Sequence, residues 1–138
     1  MKKALIFIIV SCSLIGGGVL AKTYMDRGEF MSLEAAKKKW GNVIFEADTF
    51  KNGDDKRRAA MIASMIESKQ MIGKSVNELA ITIGEFNGHY WSDSIPAYLI
   101  NEGWKNDEDT WQLVFFLDRK QKVKEVRIHK NCCNKTAK

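Results

Sequence analysis

The side chains able to carry out chemistry are sparse in this sequence. Its two histidines, His89 and His129, fall in different predicted strands, and the sequence places no serine or cysteine nucleophile near His89. Covalent catalysis needs a nucleophile and a base within hydrogen-bonding reach of each other. The chain also lacks a glycine-rich phosphate loop and the nucleophile elbow of hydrolases. The sequence therefore predicts no catalytic residue and a protein that is not an enzyme.

Metal binding and disulfide chemistry depend on the adjacent pair Cys132 and Cys133. A zinc site would need two more ligands, of which His129 supplies one at best, and the acidic run 107–109 lacks the spacing of a Ca²⁺ loop. We therefore predict no metal, no cofactor and no small-molecule ligand. Adjacent Cα atoms are about 3.8 Å apart, which is less than a disulfide usually spans. A labile vicinal bond, a disulfide to a second chain and a tail without a role are all open for this pair.

Large aromatic side chains are concentrated between residues 90 and 111. Tyrosine and tryptophan dominate the energetics of protein–protein interfaces, because they bury a large area at a low cost in conformational entropy. Some of these side chains must belong to the core, and the sequence does not sort them. We expect a candidate binding surface among Tyr90, Trp91, Tyr98 and Trp104.

An uncharged run from Ala4 to Ala21 follows Lys2 and Lys3. As a helix this run would span about 27 Å, close to the ~30 Å hydrocarbon core of a bilayer. The flank before the run is wholly positive and the flank after it is balanced, which favours a cytoplasmic N-terminus and an exported remainder. We therefore predict an inner-membrane anchor over residues 1–21, with the domain in the periplasm of a bacterial envelope.

Two other outcomes fit the same segment. Signal peptidase would cut after Ala21, where Val19–Ala21 offers small residues, and would release a periplasmic protein. Alternatively, Ile9–Cys12 resembles a bacterial lipoprotein signal, with Cys12 as the lipidated residue of an outer-membrane lipoprotein.

The formal net charge of +5 includes two lysines that precede the apolar run, so the rest of the chain has only a small basic excess. Export and this small excess argue against a nucleic-acid partner. The basic residues after position 118 are interpreted as a solvated face, with contact to anionic lipid as the alternative.

Three helices are predicted from capping residues and apolar spacing. Ser32 caps a short helix that ends before Gly41, and a longer helix over 54–69 carries a methionine–isoleucine stripe interpreted as core. Ser75 and Glu78 form a capping box that starts a helix ending at Gly84.

The apolar period changes to two after the last predicted helix. Four strands are predicted over 89–91, 97–100, 111–117 and 124–129. The expected architecture is therefore α+β, with two or three N-terminal helices packed on a four-stranded antiparallel β-meander, preceded by the membrane helix or signal. The predicted organisation is a signal or anchor (1–21), a stalk and lead-in with a short helix (22–53), the α+β domain (54–130) and a basic cysteine-bearing tail (131–138).

The chain resembles the SmpA/OmlA small outer-membrane lipoprotein family over about residues 50–130, and is most similar to its uncharacterised membrane-anchored envelope relatives. The residues that carry the resemblance are Phe50, Lys51, Gly53, Asp54, Met61, Ile62, Ile72–Ser75, Glu78, Ile83, Gly84, Ala97–Leu99, Leu113–Asp118 and Lys122–Val126. The resemblance implies the β-lactamase-inhibitor-protein-like fold, with two helices on a four-stranded antiparallel sheet. It also implies protein binding, since the best-known member is an accessory subunit of the machine that inserts β-barrels into the outer membrane.

From these observations we expect a non-enzymatic protein–protein interaction module of the envelope, accessory to outer-membrane or envelope assembly. The alternative is a small periplasmic enzyme inhibitor on the same fold. The membrane is contacted through the N-terminal segment, and the sequence does not identify the protein partner.

Overall fold

The computed structural model describes residues 29–101 and 110–131, and local capping residues define its helices. Ser32 Oγ accepts a hydrogen bond from the Ala35 N–H at 3.2 Å and caps the first helix, which Gly41 ends with φ +97°. Asp54 caps the longest helix by accepting from the Arg57 N–H at 2.8 Å. The elements within these residues are β1 (Phe30–Met31), α1 (Leu33–Trp40), α2 (Ala47–Asn52), α3 (Asp55–Glu67), α4 (Val76–Ile83), β2 (Ala97–Asn101), β3 (Thr110–Leu117) and β4 (Val123–Asn131).

The strands form one antiparallel sheet in the order β1-β4-β3-β2. β3 and β4 pair along their whole length, and β2 pairs with the other side of β3. β1 pairs with β4 at Phe30↔His129 and Met31↔Ile128. The predicted α+β class with a four-stranded antiparallel sheet is confirmed. The described residues contain four helices where two or three were expected, and α2 is the helix that was not predicted.

The identity of one strand was predicted wrongly. The fourth strand is Phe30–Met31, ahead of all the helices, whereas residues 89–91 form no strand. Trp91 has φ +58°, which is incompatible with an extended strand. The sheet is therefore not a simple C-terminal meander, because its edge beside β4 comes from the start of the domain.

The main core lies between the helices and one face of the sheet. Alternate residues of β3, Trp111, Leu113 and Phe115, face this side and are buried. The stripe on α3 meets them, since Met61, Ile62 and Met65 belong to the same buried cluster. The interpretation of the stripe as core is thereby confirmed, although Ile66 is only partly buried.

Residues 29–53 contribute to this core. Phe45 and Phe50 are buried, with their ring centroids 5.7 Å apart, and Phe50 packs on Tyr98 at 5.5 Å. The Val43 N–H also donates to the Ala60 carbonyl at 2.8 Å, which ties this segment to α3. The folded domain therefore begins before residue 54, and the part of the predicted stalk after residue 28 belongs to it.

The opposite face of the sheet carries a second, smaller cluster. Tyr90, Ala97 and Val114 are buried there, and Phe30, Ile95 and Phe116 pack around them. The connection between α4 and β2, residues 84–96, contains no helix or strand. Its second half covers this face through Tyr90 and Ile95, whereas Phe86 packs on the main core. Both faces of the sheet are thus shielded, one by helices and the other by this irregular connection.

The predicted membrane segment, residues 1–21, lies outside the described residues. Within the described ranges, none of the helices has both the length and the apolar character needed to cross a membrane.

Candidate protein-binding loop

Gln112 holds the connection of residues 84–96 against the sheet. Its Oε1 accepts from the His89 N–H at 3.1 Å, and its Nε2 donates to the His89 carbonyl at 2.8 Å. Gln112 is itself buried in the middle of β3. A buried amide must find partners for both its donors and its acceptor, and the backbone of His89 provides two of them. We call residues 88–95 the Trp91 loop.

The close approach of the loop to the sheet depends on Gly88. The Gly88 N–H donates to the Ala97 carbonyl at 3.0 Å. A Cβ atom at this position would lie 2.7 Å from Gln112 Oε1 and 2.9 Å from the carbonyl carbon of Ala97. Only glycine lets the two backbones come this near without displacing one of them.

Tyr90 anchors the loop by inserting into the second cluster. Its ring is buried and lies edge-on to His129, with centroids 4.8 Å apart, and to Phe116 at 5.7 Å. The Phe30 ring from β1 lies 6.3 Å away. Burial of a tyrosine among three rings fixes the position of the residue that follows it.

That following residue, Trp91, is exposed over 53% of its surface. Its φ of +58° is a left-handed conformation that bulky side chains rarely adopt. Tight local bonds enforce it: the Ser92 N–H donates to the Tyr90 carbonyl at 2.6 Å, and the Ile95 N–H donates to the Ser92 carbonyl at 3.2 Å. The loop therefore presents a large aromatic side chain on a constrained backbone.

His129 lies under the loop on β4. Its Nδ1 is 3.2 Å from Gln112 Nε2, and its Nε2 is buried without a hydrogen-bond partner among the described residues. Burial lowers the pKa of this imidazole below its ordinary value, because the charged form loses hydration. The ring lies between Tyr90, Phe30 and Gln112, where burial disfavours its charged form.

Arg127 lies on the same face, two residues before His129. Its guanidinium is 5.0 Å from the centroid of the Phe30 ring and 5.5 Å from that of Phe116, and its Nε donates to Glu125 at 2.7 Å. Cations over aromatic faces are stabilised by the ring quadrupole. The second cluster, beneath the Trp91 loop, is therefore bordered by a cation as well as by aromatic rings.

A separate open groove of about 440 Å³ lies where β1 leaves the sheet. Ile66 of α3, Leu33 of α1 and Val126 of β4 contribute apolar walls. β1 covers β4 only as far as Ile128, so Val126 has no strand partner on that side among the described residues.

The structure separates the residues of the predicted binding surface. Tyr90 and Tyr98 are each only 5% exposed and lie on opposite faces of the sheet, Tyr90 in the second cluster and Tyr98 in the main core. The expectation that both belong to a surface is corrected, because alternation along β2 and insertion of the loop bury them. Trp91 alone of the described members is exposed, and Trp104 lies outside the described residues.

The predicted helix cap is formed as expected. Ser75 and Glu78 make both bonds of the capping box at the start of α4. Cys12, Cys132 and Cys133, named for lipidation and disulfide bonding, lie outside the described residues. In the described part of the chain, no group of three or more histidine, cysteine or acidic side chains could hold a metal ion.

Gln112 and Gly88 were missed by sequence analysis. The visible clue was a single amide inside the otherwise apolar run of residues 111–117. A polar residue in the middle of a buried strand indicates a specific partner, but it does not identify that partner.

Comparisons with protein-family models, with characterised protein sequences and with solved structures found no match for this chain. The resemblance to the small outer-membrane lipoprotein family therefore stays a prediction.

Proposed function

We propose that this chain is a non-enzymatic protein-binding module of the bacterial envelope, and that Trp91 is the centre of its binding surface. The observation that supports this most directly is the combination of exposure and constraint at Trp91. The side chain is half-exposed, while its backbone is held in a left-handed conformation by the loop around it.

The free-energy argument concerns the cost of ordering. Association usually loses about 0.5–1.5 kcal/mol for each rotamer-rich side chain that must be immobilised, and ordering a mobile loop adds to this cost. In the Trp91 loop much of this ordering is already present in the free protein. Gln112 bonds to the backbone of His89, and the Tyr90 ring is buried in the second cluster. A left-handed backbone at a bulky residue costs roughly 1–3 kcal/mol, and it persists only where the surroundings determine it. Such strain is concentrated at binding and catalytic sites.

The proposed location rests on the N-terminal segment. The uncharged run after Lys2 and Lys3 is the basis for an anchor that leaves the domain in the periplasm, where an envelope protein is the available partner. The resemblance to the small outer-membrane lipoprotein family favours a role accessory to envelope or outer-membrane assembly. The periplasmic enzyme inhibitor is the other outcome that a search for partners distinguishes.

A site-specific crosslinking experiment tests the binding surface. A photoreactive phenylalanine analogue would replace Trp91 in the full chain, and a matched variant would carry it at Ile81, which is 74% exposed on α4. After irradiation in the native envelope, we expect a discrete adduct at position 91 and none at position 81. Adducts with barrel-assembly components support the assembly role, and an adduct with a hydrolase supports the inhibitor. Identical patterns at the two positions would contradict the proposed surface.

Fractionation and mass measurement test the location separately. We expect the full chain to sediment with membranes and residues 22–138 to be accessible to protease after the outer membrane is permeabilised. Intact mass distinguishes a chain that retains Met1, one that starts at Lys22 and one with acyl chains on Cys12. A protein found only in the cytoplasm would remove the envelope part of the proposal.

A further inference from the structure

The hydrogen bonds around Gln112 determine the orientation of its amide. A backbone N–H can only donate and a backbone carbonyl can only accept. Because Gln112 contacts both groups of His89, its Oε1 must face the N–H and its Nε2 must face the carbonyl. The reversed orientation would place donor against donor and acceptor against acceptor.

This orientation also determines the protonation of His129. The second N–H of Gln112 Nε2 points at His129 Nδ1, 3.2 Å away. Nδ1 must therefore accept, so the ring is neutral and carries its proton on Nε2. The protonation state of His129 in β4 is thereby linked, through the Gln112 amide in β3, to the backbone of His89 in the Trp91 loop.

We propose that protonation of His129 releases the Trp91 loop, so that the binding surface is formed at neutral pH and lost in acid. This inference rests on the proposed function of Trp91. When a solvent proton binds to Nδ1, the imidazolium places a donor against the N–H of Gln112. Rotation of the amide would satisfy His129, but it would break both bonds to His89. No orientation of Gln112 satisfies the charged ring and the loop together.

Burial, and not a neighbouring charge, favours the neutral form of His129. Arg127, on its own strand and face, is ion-paired with Glu125. From the loop, the Tyr90 ring packs edge-on against the imidazole, and from β1 the Phe30 ring lies 5.2 Å away. From β3, Thr110 and Gln112 are uncharged and buried.

Two carboxylates of the neighbouring segments are paired with cations, Glu125 with Arg127 at 2.7 Å and Glu29 with Lys130 at 3.1 Å. Asp93 of the Trp91 loop is fully exposed and lies 3.4 Å from Nδ1 of the His89 ring. The imidazolium would therefore gain little from them, and burial lowers the pKa of His129. Release of the loop consequently requires a pH below the ordinary imidazole value of about 6.5.

Amide hydrogen exchange at residue 89 tests this link in the full chain in detergent micelles. The His89 N–H is the group that Gln112 Oε1 holds. We expect its protection factor, corrected for the intrinsic rate, to fall by up to about tenfold per pH unit below about pH 6.5. His129→Asn keeps an acceptor near the position of Nδ1 but cannot titrate, so it should abolish this dependence.

His89→Asn is the matched control, because His89 is the other histidine of the chain and its ring is exposed. It should keep the pH dependence of the wild type. Protection that is independent of pH in the wild type, or equally dependent in His129→Asn, would overturn the proposal.

A second measurement does not depend on any variant folding. Nitrogen chemical shifts of the His129 ring should show the neutral form with its proton on Nε2 at pH 7, and a proton on Nδ1 would overturn the inference. Both readouts are independent of a partner. Failure of crosslinking at position 91 would therefore remove the proposed function, while the release of the loop by protonation of His129 could still be measured. Likewise, pH-independent protection would remove the release mechanism without affecting the crosslinking test.

Discussion

Glu78 Oε2 accepts hydrogen bonds from both the N–H and the Oγ of Ser75, at 2.6 Å and 2.7 Å, and Ser75 Oγ accepts in turn from the Glu78 N–H at 3.3 Å. Lys122, which comes just before β4, adds an ion pair to the same oxygen at 3.3 Å. Together the bonds from Ser75 and the charge of Lys122 lower the pKa of Glu78 from 4.5 to about 2. The start of α4 is thus joined to the sheet through one carboxylate.

This carboxylate predicts a pH-dependent contribution to stability. Because the pKa of Glu78 is lower in the folded state, its stabilisation is complete above about pH 4.5 and is lost as the pH falls toward 2. Glu78→Gln keeps the size of the side chain but removes the charge that Lys122 contacts. We expect the variant to melt below the wild type at pH 7, with the difference shrinking between pH 4.5 and 2. A difference that does not change with pH would show that the charge is unimportant.

The serine of the cap should also contribute to stability. Ser75→Ala removes the oxygen that accepts from the Glu78 N–H, and we expect a loss of about 1 kcal/mol in the free energy of unfolding. Ser75→Thr keeps an oxygen at that position and should be close to the wild type. Equal losses for both variants in urea unfolding would argue against a capping role.

The stripe on α3 predicts a large effect at its buried centre. Ile62 is fully buried, so Ile62→Ala should reduce the free energy of unfolding by about 2–5 kcal/mol. Ile81→Ala, at an exposed helical position, should change it by less than about 0.5 kcal/mol. Ile66 is partly buried, so Ile66→Ala should reduce the free energy of unfolding by an amount between these two. A neutral Ile62→Ala would mean that this helix does not pack on the sheet.

The segment before residue 54 should prove to be part of the folded unit. Phe50 is fully buried between Phe45 and Tyr98, and Phe50→Ala should cost about 3–5 kcal/mol in chemical denaturation. Ile44→Ala, in the same segment but 78% exposed, is the control and should be near neutral. Similar small effects for both would indicate a stalk that does not contribute to the core.

The contact of the loop with the sheet should be sensitive to one methyl group. Gly88→Ala places a Cβ at 2.7 Å from Gln112 Oε1, and overpacking of this kind typically costs about 1–3 kcal/mol. We expect it to abolish protection of the His89 amide while the helices stay folded. Gly73→Ala is the comparison: it has open space around its Cβ but φ +80°, so it should be strained without affecting the loop. Unchanged exchange at residue 89 in Gly88→Ala would contradict the contact.

The helices were predictable because the information is local. Ser32 and Asp54 make caps with residues three positions later, and Gly41 ends its helix through its own backbone conformation. Each of these features lies within a few residues of sequence, so spacing alone reveals it.

The fourth strand and the loop were not predictable, because both depend on contacts between distant residues. Phe30 and Met31 form a strand only because β4, nearly a hundred residues later, offers its edge. Likewise, Gln112 comes within hydrogen-bonding distance of the His89 backbone only after the sheet has formed. Alternation along β2 places Tyr98 and Ala97 on opposite faces of the sheet. It does not show that the Trp91 loop also covers the second face.

The outer edge of β2 has a consequence for the behaviour of the protein at high concentration. Asn87 Oδ1 accepts from the Leu99 N–H at 2.9 Å, and the Gly88 N–H donates to the Ala97 carbonyl at 3.0 Å, so two outward backbone groups of this strand are already used. Exposed edges with unused backbone groups are the templates on which sheets from separate molecules join into aggregates. A second molecule would have to displace Asn87 and Gly88 before it could add a strand there. On the β2 side, the sheet is therefore closed to the strand addition by which crowded copies would join into a fibre.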